Sequence, residues 1–478
     1  MSWQRLSPRM LLVHPVHELL RQLPLVVAAV LFGSASGDPL WVVVVLVGTV
    51  VIGMARWATT SYRIAEEEVQ LRTGLLRRAT VAVPRNRIRS VVTEVRLLHR
   101  LLGLTVIRVA TGQQADRDSA FVLDAVRADQ VPALRAVLLA DAEQDDPRPD
   151  TRGGAVLARW EPSWLRYSPL SVSGLATLAA ALGVAYQIGG EQLLREGSWL
   201  GRTAENLVAR WGVVSTVGAT AVLVVVVAVV LAMLRSLLVY GNLELSRRGG
   251  VLRLRHGLTR LRERTFDMSR LRGGVLREPL LVRAVGGARV DAVMTGVAGA
   301  GAASVLLPPC PAPTARRVLT ELVGDPDVVT GPLRPHGPAA ARRRWTRALA
   351  APAAAALVLA VLDVPAWWWA IWLAVLAGAA LLALDRVHAL GHRVSPQWLV
   401  GRAGSVERRR DCLATAGIIA WSVRQSWFQR RAGVATLIAA TAAGVKAYQL
   451  IDVPIAWAWD IAATASPWVA DSVWAQRR

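Results

Sequence analysis

The chain has 478 residues, 53% hydrophobic and only 19% charged, against about 25% charged in ordinary soluble domains. Its 56 basic residues outweigh 34 acidic ones, for a net charge of +22, and every basic residue except Lys446 is arginine. Two distant cysteines, Cys310 and Cys412, exclude a disulfide scaffold and a cysteine-based zinc cluster.

Apolar runs come in pairs: 23–32 with 40–57, 172–188 with 211–234, and 349–362 with 366–384. A bilayer span needs about 20 mostly apolar residues. The second run of each pair reaches that length, and the first borrows flanking residues such as Leu19–Gln22. The first run is not read as a signal peptide, because a second apolar run follows it instead of a cleavage site and a polar domain. Six spans in three helical hairpins are predicted. The connectors within pairs hold little arginine, none in 33–39 or 363–365, whereas the segments between pairs are rich in it. Arginine marks the cytoplasmic side, so both termini and all large polar segments are expected in the cytoplasm. The 189–210 connector reads either as an interfacial helix or as a plain polar loop.

The polar segments repeat. A shift of 183 residues brings Leu71, Gly74, Ile88 and Gly103 onto Leu254, Gly257, Leu271 and Gly286. A shift of 330 brings Gly74, Ile88, Gly103 and Thr111 onto Gly404, Ile418, Gly433 and Thr441. Each unit is therefore an apolar pair followed by one polar domain, with the third copy the most divergent. Within the first copy, 62–71, 79–83, 104–110 and 119–123 have the β-branched or alternating character of strands. Asp129 then opens a helical pattern to Ala140, and 314–323 repeats that pattern in the second copy. Short strands closed by one helix predict a small β-barrel or sandwich. Gly74, Gly257 and Gly404 are expected at one equivalent turn that requires positive φ.

The first copy carries Tyr62, Ile64, Leu71, Gly74 and Leu75, then Pro84, Arg87, Ile88, Ser90 and Val91, then Gly103, Leu104 and Thr111. After a pair of spans, this pattern resembles the bacterial pleckstrin-homology-like (PH) domain of YdbT-type membrane proteins. The second copy has Asp267 in place of the proline, and the third has Ala414 there with Ile419–Trp421 replacing Arg-Ser-Val. The resemblance implies a binding module, with no catalytic residues and no cofactor.

The implied organisation is a multi-span α-helical membrane protein with α+β cytoplasmic domains. Hairpins at 1–57, 161–235 and 345–385 precede PH-like domains at 58–141, 236–324 and 386–478, with linkers at 142–160 and 325–344. His388 and His392 have the i, i+4 spacing of a helical metal pair, with Asp385 near by. At the end of a span they read better as a juxtamembrane polar face, and no metal residues are assigned. No nucleophile–base order, phosphate loop or paired-carboxylate motif is present. A transporter or a membrane enzyme with a cavity between hairpins is the rival reading, weakened by the lack of an intramembrane carboxylate.

Arginine is the remaining chemical signal. Residues 56–110 hold 11 Arg against 4 acids, and residues 235–296 hold 13 against 5. Strand alternation after Pro84 would put Arg85, Arg87 and Arg89 on one face, with Arg270 and Arg272 equivalent to the last two. In the third copy Thr415, Gly417 and Ile419 stand at these positions. This stripe is the candidate contact for a partner: the anionic lipids of the bilayer, a protein, or a second copy of the chain. Its bland alternative is a charged strand edge that resists aggregation. Nucleic acid is not expected, because no aromatics interleave the arginines.

Overall fold

The computed structural model describes residues 3–5, 59–65, 68–73, 79–84, 88–96, 100, 102–111, 121–127, 129–131, 134, 155–180, 183, 199–295, 304–362 and 364–472. The first apolar pair, residues 181–182 and 184–188 of the 172–188 run, and Gly74 lie outside them.

The repeat is visible strand for strand. The first copy contributes β2 (Ser61–Ile64), β3 (Glu68–Thr73), β4 (Ala79–Pro84), β5 (Ile88–Arg96), β6 (Leu104–Thr111) and β7 (Phe121–Arg127), preceded by the short β1 (Gln4–Arg5). The second contributes β9 (Glu244–Arg248), β10 (Val251–His256), β11 (Arg260–Asp267), β12 (Leu271–Pro279), β13 (Gly287–Met294) and β14 (Val305–Pro311). The third contributes β16 (Gly391–Val394), β17 (Trp398–Ala403), β18 (Glu407–Ala414), β19 (Ile418–Arg424), β20 (Val434–Thr441) and β21 (Ala447–Pro454). The 183-residue shift carries β3, β5 and β6 residue for residue onto β10, β12 and β13. The 330-residue shift does the same for β3 and β6 onto β17 and β20. Gly103, Gly286 and Gly433, which open β6, β13 and β20, have φ of 67°, 75° and 67°. Gly257 and Gly404 share φ near 100° (105° and 100°), and a Cβ on Gly404 would sit 2.0 Å from the Glu407 carbonyl oxygen.

Contacts divide the chain into two units. The first (1–159 with 241–270) holds an antiparallel sheet in the order β1-β2-β3-β4 and a seven-stranded sheet. The latter runs β7-β6-β5-β11-β10-β9-β8, where β8 is Ala155–Arg159. It joins the last strands of the first repeat to the first strands of the second, through β5 and β11 (Arg260 opposite Arg96, Phe266 opposite Ser90). On β10 the alternation is clean: Leu252, Leu254 and His256 are buried, while Arg253 and Arg255 point the other way.

The second unit (160–240 with 271–478) repeats this construction in the order β14-β13-β12-β18-β17-β16-β15, with β15 at Arg334–Pro335. Here β12 of the second repeat pairs with β18 of the third, Gly273 opposite Leu413. An ion pair crosses the same seam, Arg277 on β12 to Glu407 on β18 at 3.0 Å, and Arg277 also meets Asp291 on the neighbouring β13 at 2.7 Å. The three-stranded sheet β19-β20-β21 completes the unit's strands. Its core is a sandwich: Leu399 and Leu413 of one sheet pack with Leu437, Leu450 and Val453 of the other.

The helices of this unit with both ends described are α1 (Trp199–Trp211), α2 (Val213–Tyr240), α3 (Leu280–Ala284), α4 (Ala312–Val323), α5 (Pro326–Thr330), α6 (Gly337–Val361), α7 (Ala366–Ala389), α8 (Trp427–Arg431) and α9 (Ile455–Ala465), and residues 172–180 are helical as well. Helix α4 is the predicted closing helix of the second copy. Its counterpart α9 starts after Pro454 and buries Ile461 and Ala462 in the core. Among the described residues three helices, α2, α6 and α7, are long and apolar enough to cross a membrane, with 28, 25 and 24 residues. At 1.5 Å per residue each exceeds the ~30 Å hydrocarbon layer. Helices α6 and α7 lie against each other, and Trp372 Nε1 donates to the Pro352 carbonyl at 2.9 Å.

Part of the sequence read as linker is ordered. Residues 155–159 form β8 because the outer edge of β9 offers unpaired backbone groups. Residues 334–335 extend β16 in the same way. The arginine-rich end of 325–344 begins α6 itself. The 189–210 connector is helical from Trp199 onward.

Candidate functional site

The arginine run after β4 does not continue as one strand in the second repeat. A 3-10 turn (Met268–Arg270) separates β11 from β12, and an equivalent turn (Thr415–Gly417) stands in the third repeat. Arg270 therefore ends a turn and Arg272 lies on β12, so simple alternation does not set their directions. Arg270 meets Asp267 at 3.0 Å. The Arg272 stem lies over Gly417, where an added Cβ would come 2.8 Å from its Cδ. Arg89 lies on β5, while Arg85 and Arg87 fall outside the described residues.

Two charged clusters tie the polar part of the second unit to its apolar helices. At the end of α7, Asp385 is met by Arg283 of α3 at 2.9 Å and by Arg408 of β18 at 2.5 Å. Arg402 donates to the carbonyls of His388 and Ala389, both at 2.9 Å, satisfying the last turn of the helix. At the start of α6, Arg343 and Arg344 reach Asp452 of β21 at 3.0 and 2.9 Å. Asp452 is fully buried, and Gln429 of α8 donates to its Oδ1 at 2.9 Å. A carboxylate in so dry a site requires partners of this kind, because an isolated buried charge costs several kcal/mol.

The histidines part company. His388 bonds the Leu384 carbonyl within α7, whereas His392 lies beyond the helix end on β16. His392 is buried against His336, ring centroids 5.1 Å apart, and against Trp457 at 6.1 Å. Burial pushes both imidazoles down to about 4, and for His392 the neighbouring His336 and Arg334 add to the effect. For His336, its bond to the Ile451 carbonyl (2.9 Å) and the Asp452 charge oppose the shift without cancelling it. Both rings are therefore neutral at pH 7. Among the described residues no group of three or more His, Cys, Asp or Glu is placed to hold a metal ion.

A recess of about 550 Å³ opens beside His392, between β16 and α9. Arg334, stacked 3.6 Å over the Trp457 ring, and Arg393 line it together with Asp327 and Asp460. Arg393 is already engaged by Asp327 at 3.2 Å. Charges of both signs give this recess no selectivity for an anion. Cys310 and Cys412 are free thiols, both buried, and burial pushes each up to about 12, so neither is a ready nucleophile.

Sequence reasoning found Asp385 as a juxtamembrane acid but missed Asp452 as an anchor. Its signal is the pairing of a lone acid in an apolar strand with the Arg342-Arg343-Arg344 run ahead of a span. The sequence signature described as the bacterial PH domain matches residues 19–142 and 348–466, just over half of the chain. Each matched segment runs from apolar stretch into polar domain, and the two cover the first and third repeats. No curated protein and no solved structure gives a match.

Proposed function

Starting from a chain that belongs to the bacterial PH domain family, we propose a YdbT-like integral protein of the bacterial inner membrane. Six spans form three hairpins, and three PH-like domains with both termini face the cytoplasm. The protein acts without catalysis, as a scaffold that holds a partner at the membrane surface. The observation that carries this reading is the pair of charged joints at Asp385 and Asp452. They fasten β-domains directly to the ends of apolar helices, so that anything bound by the domains is held at the bilayer. Anionic lipid head groups are the simplest partner: basic residues beside an anionic leaflet gain about 1 kcal/mol each. Arg85, Arg87, Arg89, Arg270 and Arg272 are the candidate contacts in the first two domains.

Retention of phosphatidylglycerol by the purified full-length protein tests the lipid role. The Arg85→Gln/Arg87→Gln/Arg89→Gln variant should retain less of it at low salt, and the difference should fade as salt screens the attraction. Equal retention at low salt would assign these arginines to a protein partner or to edge protection. Reporter fusions at Gly37 and Asp145 should report opposite compartments. The same compartment for both would overturn the hairpin arrangement.

A further inference from the structure

The fourth and fifth strands of the second and third repeats are joined through short helices, α3 and α8, that leave large apolar side chains uncovered. On α8, Trp427 and Phe428 are 61% and 68% exposed, their rings edge to face at 5.0 Å. On and just after α3, Leu281 and Val285 are 43% and 45% exposed. The pattern recurs at fixed offsets in the sequence: Leu97-Leu98 with Arg100, Leu280-Leu281 with Arg283, Trp427-Phe428 with Arg430. No acidic residue stands in 424–432 or 280–286, while Arg424, Arg430 and Arg431 are exposed.

Both helices are pinned at the level where an apolar helix begins or ends. Gln429 of α8 and Arg343 of α6 share the same oxygen of Asp452. From Arg344 to the uncharged stretch that follows Arg347, α6 rises only about 6 Å. The headgroup layer on each side of a bilayer is itself about 5–7 Å thick. Likewise, Arg283 of α3 holds Asp385, the residue that ends the apolar stretch of α7. A Trp-Phe pair with arginines and no acid, held at headgroup depth, matches the chemistry of the lipid–water interface.

We propose that α3 and α8 are membrane-contact helices, which set their apolar pairs among the headgroups of the domain-side leaflet while the arginines of α8 take anionic lipid phosphates. This rests on α6 and α7 being membrane spans. It also gives the third repeat, which lacks the arginine stripe, its own hold on the surface.

The test uses the full-length protein in vesicles of phosphatidylcholine with about a quarter phosphatidylglycerol, an anionic surface of the kind that attracts basic segments. An environment-sensitive fluorophore is attached to Phe428→Cys, to Leu281→Cys or to the mid-span site Leu373→Cys. The native Cys310 and Cys412 are 0% exposed and do not compete for label. At Phe428 and Leu281 the expected result is a blue shift and stronger quenching by lipid brominated near the glycerol end of the chain than by lipid brominated near its methyl end. At Leu373 the order reverses. Lipid quenching at Leu373 but only aqueous iodide quenching at Phe428 and Leu281 would overturn the contact helices and leave the spans standing. Protection of Phe428 and Leu281 from both quenchers would assign the surface to a protein partner and overturn the proposal. Absence of lipid quenching at all three sites would overturn both the proposal and the membrane reading beneath it.

Discussion

Asp385 and Asp452 make the same ionic motif in opposite directions. Asp385 offers a carboxylate from an apolar helix to two arginines of the polar domain, and Asp452 offers one from the domain to two arginines of an apolar helix. Their surroundings differ. The Asp385 side chain is 25% exposed and the Asp452 side chain 0%. Water can replace a lost partner at Asp385, but at Asp452 nothing can. The same pair of bonds is thus a modest surface fastening in one place and a structural necessity in the other.

Removing each carboxylate breaks or sharpens this contrast. Asp452→Asn leaves Arg343 and Arg344 facing a neutral amide in a dry site, and breaking a buried pair costs about 3–5 kcal/mol. Thermal unfolding of the purified protein should show a large fall in the transition involving the third domain. An unchanged transition would mean that water reaches the site.

The next effect is on pH dependence, since His336 and His392 sit beside the Asp452 joint. Their pKa values near 4 in the fold lie below 6.5, so the unfolded chain binds more protons between those values. Stability should therefore fall as pH drops from 6.5 toward 4, by up to about 1.4 kcal/mol per pH unit for each histidine. Asp411 works with the opposite sign, because burial raises its carboxyl to about 6, but two histidines outnumber one aspartate. His392→Gln should flatten the slope of melting temperature against pH. An unaltered slope would place the acid sensitivity elsewhere.

Glycine geometry ranks third. Gly433→Ala places a side chain at φ 67°, with nothing within 4 Å to clash, and should cost about 1 kcal/mol through backbone strain alone. Chemical denaturation measures it, and a neutral result would show that the turn relaxes to another conformation. The smallest effect is expected for Asp385→Asn, about 0.5–1 kcal/mol, since partly exposed ion pairs contribute little. A loss as large as that of Asp452→Asn would erase the contrast between the two joints.

Much of the architecture was legible because it is periodic and local. The repeat showed in glycines whose positive φ no other residue adopts cheaply, as at Gly103, Gly286 and Gly433. The apolar stretches of α2, α6 and α7 showed by length and composition. The closing helix α4 showed by its apolar spacing after a proline. The candidate site was less legible. Alternation placed Arg270 and Arg272 on one strand face, but a 3-10 turn, invisible in a polar stretch, ends at Arg270 and leaves only Arg272 on β12.

What the sequence by itself determined is that 62–71, 79–83, 104–110 and 119–123 are strand-like, which segments are long and apolar, and that three copies of one pattern follow one another. These follow from side-chain periodicity, β-branching and glycine dihedrals, each a property of a few neighbouring residues. Only the tertiary structure decided that consecutive repeats share their sheets, with β5 on β11 and β12 on β18. A strand's edge hydrogen bonds are backbone groups common to every residue, so the sequence carries little record of which strand pairs there. The same holds for Asp452: its importance comes from the dry site in which β21, α6 and α8 meet, and dryness belongs to the packing of distant segments rather than to any one of them.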